Sequence, residues 1–462
     1  MAGSVGNTAS DTGGASVFTS EIIPRRYGAC IYGGVGTMQI KQLFGTIQRA
    51  GAQPESSTSG TRIGVGEAMD RIRTTGIADV ARRGLRRVVS RVESKYGLDG
   101  LEFPLNERDI ASSSSVGAII PFEGAGPQHV AWLCTPPGAG SGGHTTFFRM
   151  VQAVYDAGHS CTVLLYNRHG GSMQRHVNVI RSSWPWLEAE IAEVPEQITG
   201  YTSCVASSWE TAHVLASRRI PSEAMNPYYL IQDFEPYFYP RGSMYALSED
   251  TYRFGFTNLA LGAMVGRTIE RETGAQSIQI PFGSDTANYR RQSTGQRSGV
   301  VFFARPGIDR RGFEMGRLAL AEFHRRYPEQ MIHTYGSRYK NWGFPVVQHG
   351  VLTPAQLNSL YNTVVAGLAL SFTNITLVAA EMLASGAIAV VNEDREARTI
   401  LRNGEAVWCP ASPVSLADGL ASVIEDPDVV QRSQRAADFK ETSWSEAQEA
   451  LVKAVIGNVE RN

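Results

Sequence analysis

The chain has 462 residues, room for about three domains at roughly 150 residues each, every one able to bury a substantial core. Lys and Arg number 43 against 44 Asp and Glu, so the overall charge gives no argument for a nucleic-acid partner. The five cysteines (Cys30, Cys134, Cys161, Cys204, Cys409) are scattered without a C-x-x-C pair, which argues against a metal knot or redox motif and fits a reducing cytoplasm.

Met1 to Ser20 is rich in Gly, Ser, Thr and Ala and is expected to be a disordered leader. It lacks the basic start and apolar core of a signal peptide, and no stretch of about 18 apolar residues reads as a membrane span. QPESSTSGT (53–61) separates two helix-like segments, and the pattern from about 66 to 96 is helical. Between Arg71 and Arg91 lie seven arginines and one acid, Asp79. Such a run reads as a solvated helix face, or as a surface for an anionic membrane or polymer.

From His129 the texture changes. HVAWLC (129–134), CTVLLYN (161–167), SCVASSW (203–209), YYLIQ (228–232) and SIQIP (277–281) read as strands, and FFRMVQAVYDAG (147–158) as a helix capped by Gly158. A second series follows PFGSD (281–285): GVVFFA (299–304), MIHTY (331–335), PVVQH (345–349), AGLALSF (366–372), AIAVV (387–391) and AVWC (406–409). Its helices are 311–326 and 353–362, the latter with Thr353 as N-cap and Pro354 at the first position. Residues 435–460 read as a final helix. Strands alternating with helices predict parallel sheets covered on both faces, so the class is α/β with two Rossmann-like halves.

PPGAGSGGH (136–144) joins a strand to a helix. Glycines there allow close approach of the backbone to a phosphate. A dinucleotide site would want an acid about 20 residues on, where this chain has Tyr166 and Asn167, and the glycine spacing differs from G-x-G-x-x-G. A structural turn or a loop beside a sugar diphosphate remain. In GLALSFTNITLVAAEMLASGAIAVVNED (367–394), N–H groups of Asn374, Ile375, Thr376 and Leu377 open a helix toward an anion. Glu381, one turn later, needs a partner: ribose hydroxyls or a structural arginine. Arg305, Arg310 and Arg311 follow the first strand of that half, where ligands of open α/β sheets bind, and an arginine fork suits a diphosphate.

This second half resembles the donor domain of glycosyltransferase family 4. Arg305 and Arg311-Gly312 look like the family's Arg and Lys-Gly pair, with Arg replacing Lys. Glu381 matches the second of its two spaced glutamates, while Thr373 stands in the place of the first. YYLIQDFEPYFYPRGSMYALSEDTYRFGF (228–256), GSGGHTTFFR (140–149) and SFTNITLVAAEMLASG (371–386) resemble the WsaF-type rhamnosyltransferases. The resemblance spans about 129–430.

It implies the GT-B fold, two Rossmann-like domains facing across a cleft, with a mainly helical N-terminal extension. The expected layout is a leader (1–22), a helical extension (23–120), an acceptor domain (121–284), a donor domain (285–434) and a C-terminal helix (435–462). The implied activity is transfer of a sugar, L-rhamnose from dTDP-L-rhamnose, with retention, onto a saccharide or lipid-linked saccharide in surface-glycan assembly. UDP- or GDP-linked donors, and a non-catalytic sugar-nucleotide or glycan binder on the same fold, are the competing readings. Arg305, Arg311, the 374–377 helix start, Gly142 and Gly143 would hold the donor diphosphate, and Glu381 the ribose. Asp233, Glu235 and His144 are the candidate catalytic groups. No cofactor or metal is expected, since no His-plus-acid cluster shows ligand spacing. The expected location is the cytoplasm, with peripheral contact at the inner face of the cell membrane.

Overall fold

The computed structural model describes residues 103–457, apart from 286, 293, 294, 375, 376 and 441. The leader, the 53–61 stretch and the basic run 71–91 lie outside the described residues, as do Ile375 and Thr376.

Two parallel sheets follow one another in the chain. The first contains β1 (His129–Cys134), β2 (Ser160–Leu165), β3 (Glu190–Glu193), β4 (Ser203–Ala206), β5 (Asn226–Ile231), β6 (Thr257–Leu261) and β7 (Ile278–Ile280), in the order β3-β2-β1-β4-β5-β6-β7. The second contains β8 (Val300–Ala304), β9 (Ile332–Gly336), β10 (Val347–Gln348), β11 (Ala366–Leu368), β12 (Ile388–Asn392) and β13 (Val407–Cys409), in the order β10-β9-β8-β11-β12-β13. The central strands β1, β4, β5, β8 and β12 are almost wholly buried, as sheets covered by helices on both faces require. Strand order reverses between β1 and β4 and again between β8 and β11, and each reversal opens a crevice at the C-terminal strand ends. These are the two Rossmann-like halves expected from the alternating pattern, in the GT-B architecture that the resemblance implies.

Two strands and several helices had no clear sequence signal. β3 is short and half-exposed, and β6 lies behind the aromatic 228–256 stretch. The apolar run 366–372 forms a strand only to Leu368. Beyond it Asn392 takes over: its side chain accepts from the Ser371 amide (2.9 Å) and donates to the Ser371 carbonyl (2.7 Å), turning 371–374 out of the sheet.

The expected helical extension is corrected where it is described. Residues 103–122 run as an irregular strap with one 3-10 turn, Glu107–Asp109. Pro104 and Pro121 break helical bonding, and side chains of the first domain satisfy the strap's backbone. His213 Nδ1 accepts from the Ala111 amide (3.1 Å), and Asp250 accepts from the Ser113 amide (2.9 Å). Asp109 is buried against Arg218 (2.7 Å), with the Tyr166 hydroxyl donating to it (2.9 Å).

The single C-terminal helix is also corrected. A helix Val429–Asp438 ends at Phe439, whose extended backbone carries the chain across to the first domain. A second helix, Trp444–Ile456, starts on the Ser443 cap and places Trp444, Leu451 and Val455 in the first domain's core. The return crossing pairs with the outgoing one: Ser284 bridges Ser443, and the Ser284 amide donates to the Thr442 carbonyl (2.8 Å). Gly283 makes this possible, because a Cβ there would meet the Trp444 ring at 2.7 Å and its Cα at 2.8 Å.

Gly283→Ala is therefore expected to destabilise the fold by about 1–3 kcal/mol, the usual cost of forcing one methyl group into a packed site. Urea unfolding of the variant checks this, and an unchanged midpoint would show that the crossing yields freely.

Candidate active site

The site lies where the two crevices meet. On the first domain, Thr135 to Ser141 leave β1, and Ser141 stands at the N-cap position of the helix Gly142–Asp156 without a side-chain cap bond. The helix thus begins earlier than its apolar spacing shows, at the two glycines. Gly142 and Gly143 are exposed in its first turn, and Gln232, just past β5, donates to the Gly143 carbonyl (3.0 Å). His144 has both ring nitrogens engaged: Nδ1 with Ser141 Oγ (2.9 Å) and Nε2 with the Thr135 carbonyl (3.1 Å). Burial lowers its pKa, against the pull of the Thr135 carbonyl. A neutral imidazole donating through Nε2 and accepting through Nδ1 ties both ends of the glycine loop together.

The two carboxylates of Asp233-Phe234-Glu235 diverge. Glu235 is turned into the first domain, where one oxygen accepts from the Trp209 amide (2.5 Å) and the Tyr229 hydroxyl (2.7 Å). Trp209 opens the helix Trp209–Arg218, so Glu235 sits at a helix N-terminus. Burial, with Glu210 nearby, still pushes its pKa up to about 8. Asp233 instead faces the second domain. Its Oδ2 accepts from Thr373 Oγ1 (2.7 Å) and stands 4.0 Å from Arg310 Nη1. Burial raises its pKa, and Thr373, Arg310 and Arg311 only partly offset that. Beside this contact, Asn374 donates to the Gln232 carbonyl (2.9 Å).

The second domain supplies the cations. Arg305 is exposed at the end of β8, with its guanidinium 5.8 Å from the Phe303 ring centre. Arg311 is half-buried and donates to Ser371 Oγ (3.3 Å). Burial, with Arg310 close by, lowers its pKa to about 10, so it stays charged at neutral pH. Arg310 lies next to Arg311 in the sequence but takes a different direction. It reaches across the join, 4.1 Å over the Phe238 ring of the first domain. Its Nη1 and Asp233 Oδ1 are buried without a hydrogen-bond partner among the described residues. Two such atoms of opposite charge leave the hydrogen bonding at the join incomplete among the described residues.

Leu377 begins the helix Leu377–Ala384 and packs on the first domain's core. Glu381, one turn on, makes no side-chain hydrogen bond among the described residues. Burial and then Asp285 push its carboxyl up to about 8, against Arg149. Arg149 itself pairs with Asp285 at 2.6 Å. The structure thus brings together Asp233, Arg310, Arg311, Gln232 and Asn374, sets Glu381 one helical turn deeper, and leaves Glu235 outside the cleft. Among the described residues, no group of three or more His, Cys, Asp or Glu is placed to hold a metal ion.

Comparison with known proteins bears on the family and the fold. The family described as "WsaF, C-terminal domain" matches residues 298–421. The O-antigen biosynthesis protein RfbC of Myxococcus xanthus is 25% identical over 276 residues, 57% of this chain. The chain spans 21% of that protein's length. Among solved structures, Anabaena Alr3699/HepE in complex with UDP and glucose superposes with a TM-score of 0.54 at 13% identity, covering 71% of this chain and 99% of that one. WaaG, a glycosyltransferase involved in lipopolysaccharide biosynthesis, gives 0.53 at 12% identity over 71% and 100%. At such identities the likeness is one of fold.

Glu235 gives a pH test. Its folded pKa is raised, so its contribution to stability is full below the unfolded value of 4.5 and is lost as pH rises toward about 8. Glu235→Gln keeps an oxygen for both donors and removes this titration. Stability from urea unfolding should fall across that window in the parent, and less steeply in the variant. Glu381, also near 8, leaves a residual slope. Equal slopes would mean Glu235 is not held protonated.

Proposed function

With a second domain of the WsaF C-terminal family on a GT-B frame, we propose that the chain is a glycosyltransferase using a nucleotide sugar in surface-glycan assembly. The observation that carries this is the join itself: a buried carboxylate of the first domain, Asp233, lies 2.7 Å from Thr373 and 4.0 Å from Arg310 of the second. Domain interfaces are favoured ligand sites, and this one collects arginines around one carboxylate.

In the proposed reaction the bond between the sugar C1 and the β-phosphate oxygen breaks, and the acceptor hydroxyl oxygen bonds to C1. The nucleoside diphosphate leaves with the electron pair, and the acceptor proton passes to a donor phosphate oxygen on the same face, giving retention. Arg305 and Arg311 neutralise the charge growing on the leaving group, with the N-terminal end of the helix Leu377–Ala384, preceded by Asn374, contributing its dipole. The glycines at 142 and 143 allow the first domain's backbone to approach the donor. Asp233 faces the developing positive charge on the sugar or orients the acceptor hydroxyl. Glu381 is the group for the ribose. No metal is called on, since fixed guanidinium charge does the same work.

We assign the donor as dTDP-L-rhamnose on the resemblance of residues 228–256, and the acceptor as a saccharide, free or lipid-linked. The seven arginines between Arg71 and Arg91 would suit peripheral contact with an anionic membrane from the cytoplasm.

In a thermal-shift panel of dTDP, UDP and GDP, dTDP is expected to stabilise the protein most, because a ligand of the native state raises its apparent stability. A larger shift with UDP or GDP would sink the rhamnose assignment and keep the transferase. A shift from none of them would count against nucleotide-sugar use altogether.

Arg311→Ala and Arg305→Ala are each expected to lower kcat through loss of about 2–4 kcal/mol of transition-state stabilisation. Circular dichroism should show the fold retained. Wild-type turnover in both variants would remove these arginines from the site.

A further inference from the structure

On the far side of β1 from Asp233, a cavity of about 440 Å³ lies at the C-terminal ends of β2 and β3. Asn167, Arg168, Glu193 and Glu196 line it together with Asn106 and Arg108 of the strap, and none of Asp233, Arg305, Arg310 or Arg311 does. Parallel strands carry their ligand loops at this edge of the sheet. Between β5 and this cavity stand β4 and β1, so at a strand spacing of about 4.8 Å it is about 14–19 Å from the end of β5.

The floor of the cavity is complete within the protein. Asp109 takes two bonds from Arg218 (2.7 and 2.9 Å), one from the Tyr166 hydroxyl (2.9 Å) and one from Asn106 (3.2 Å). The remaining Arg218 nitrogen donates to the Val194 and Pro195 carbonyls (3.3 and 3.0 Å). The rim differs. Arg168 makes no hydrogen bond or ion pair among the described residues, and of its nitrogens only Nε is buried without a partner, so both terminal nitrogens are open to a ligand. Glu193 is exposed and also unpaired among the described residues. Asn167 donates to the Gly171 carbonyl (3.1 Å), which leaves its side-chain oxygen as an acceptor. Arg108 and Glu196 pair at 3.0 Å, but at 62% and 83% exposure such a pair is weak and parts readily.

These groups select a ligand chemistry. Tyr166, the one aromatic residue of the wall, is 3% exposed, so ring stacking has no platform here. An open guanidinium fork suits a carboxylate or a phosphate, whose paired oxygens match its planar donors. A bare inorganic anion would leave the Glu193 carboxylate and the Asn167 oxygen facing it as acceptors without a donor. Hydroxyl groups supply those donors. An oxyanion and several hydroxyls on one small molecule make an acidic sugar, and the volume lies within the range of ligand pockets, about 300–1,000 Å³.

We infer that this cavity holds an acidic saccharide unit, with its carboxylate or phosphate on Arg168 and its hydroxyls on Glu193 and Asn167. That the unit is part of the acceptor rests on the transferase reading; its binding does not. In that reading the acceptor is an oligosaccharide long enough to reach from Asp233 to the ends of β2 and β3, with a charged group at a set distance from the reacting hydroxyl.

Saturation-transfer NMR on the full chain tests this, with methyl β-D-glucuronide, α-D-glucose 1-phosphate and neutral methyl α-D-glucopyranoside as probes, and inorganic phosphate and dTDP as competitors. The expected result is transfer to at least one acidic sugar, with the glucuronide marking a carboxylate site and the glucose phosphate a phosphate site. Its dissociation constant should rise about tenfold in Arg168→Ala, as for loss of a hydrogen bond to a charged group, rise also in Glu193→Ala, and stay unchanged with dTDP present. Both side chains reach the surface, so circular dichroism should show the fold kept. No transfer to either acidic sugar, or equal affinity in Arg168→Ala, overturns the site. Equal affinity for the neutral glucoside overturns it as an oxyanion site, and full displacement by equimolar phosphate overturns it as a sugar site. Transfer that dTDP abolishes and Arg168→Ala spares places the ligand in the main cleft, defeating this inference and leaving the donor reading intact. Binding that depends on Arg168 in a protein that none of dTDP, UDP and GDP stabilises would keep this site and remove the transferase reading.

Discussion

The chain crosses between its two sheets twice, and both crossings are fastened together where Ser284 bridges Ser443 and its amide donates to the Thr442 carbonyl. Everything in the cleft depends on that point. Parallel strands put all their ligand-facing loops at one edge, so two such sheets form a site only if those edges are turned toward each other. The helix Trp444–Ile456, sunk in the first domain's core, anchors the return crossing, with Tyr228 donating to the Val455 carbonyl (3.2 Å). A second tie, Arg267 to Glu396 at 2.5 Å, spans the domains away from the hinge. Between these anchors Asp233 meets Thr373.

Burial sorts the carboxylates into roles. Glu235 has two donors aimed at one oxygen and a helix terminus behind it, so it organises the start of Trp209–Arg218. Asp233 has the Thr373 hydroxyl, one distant arginine and, among the described residues, an oxygen without a hydrogen-bonding partner. Glu381 has like charge nearby in Asp285 and, among the described residues, no side-chain hydrogen bond. The first is satisfied within the protein. The other two are incompletely satisfied, a costly state in a buried place, and both lie where two domains approach each other. Unfinished hydrogen bonding, more than proximity in sequence, is what separates Asp233 from its near neighbour Glu235.

Much of the frame was legible because its signals are local and strong. Central strands such as 129–134 and 387–391 are unbroken apolar runs, and Thr353-Pro354 marks a helix start that the structure keeps, with Gln356 completing the capping box. β3, in contrast, is Glu-Ile-Ala-Glu at a sheet edge, too short and too polar to stand out. The helix at Gly142 begins in glycines that composition assigns to a loop, and Ser141 before them makes no side-chain cap bond. The strap 103–122 could not be read because its bonds go to side chains a hundred residues away, such as His213 and Asp250. In the site, residue types were legible and their directions were not. Three neighbouring arginines look alike in sequence, yet Arg305 is exposed, Arg311 folds back to Ser371, and Arg310 reaches the other domain.

Thr373 shows why direction matters. The resemblance to family 4 expects an acid at that position, and its absence kept a non-catalytic reading open. The threonine hydroxyl, however, donates to a carboxylate delivered by the facing domain. A carboxylate held this way is present at the join only while the domains are close, and its charge is steadied by Arg310, which itself stacks on Phe238 of the first domain. An acid on residue 373 would carry its charge with the second domain in any arrangement. Here the charge, the arginine and the aromatic ring come together only across the cleft. The contact of Asp233 with Thr373 and Arg310 thus depends on how the two domains are held, and the paired crossings at Ser284 and Ser443 are part of what holds them.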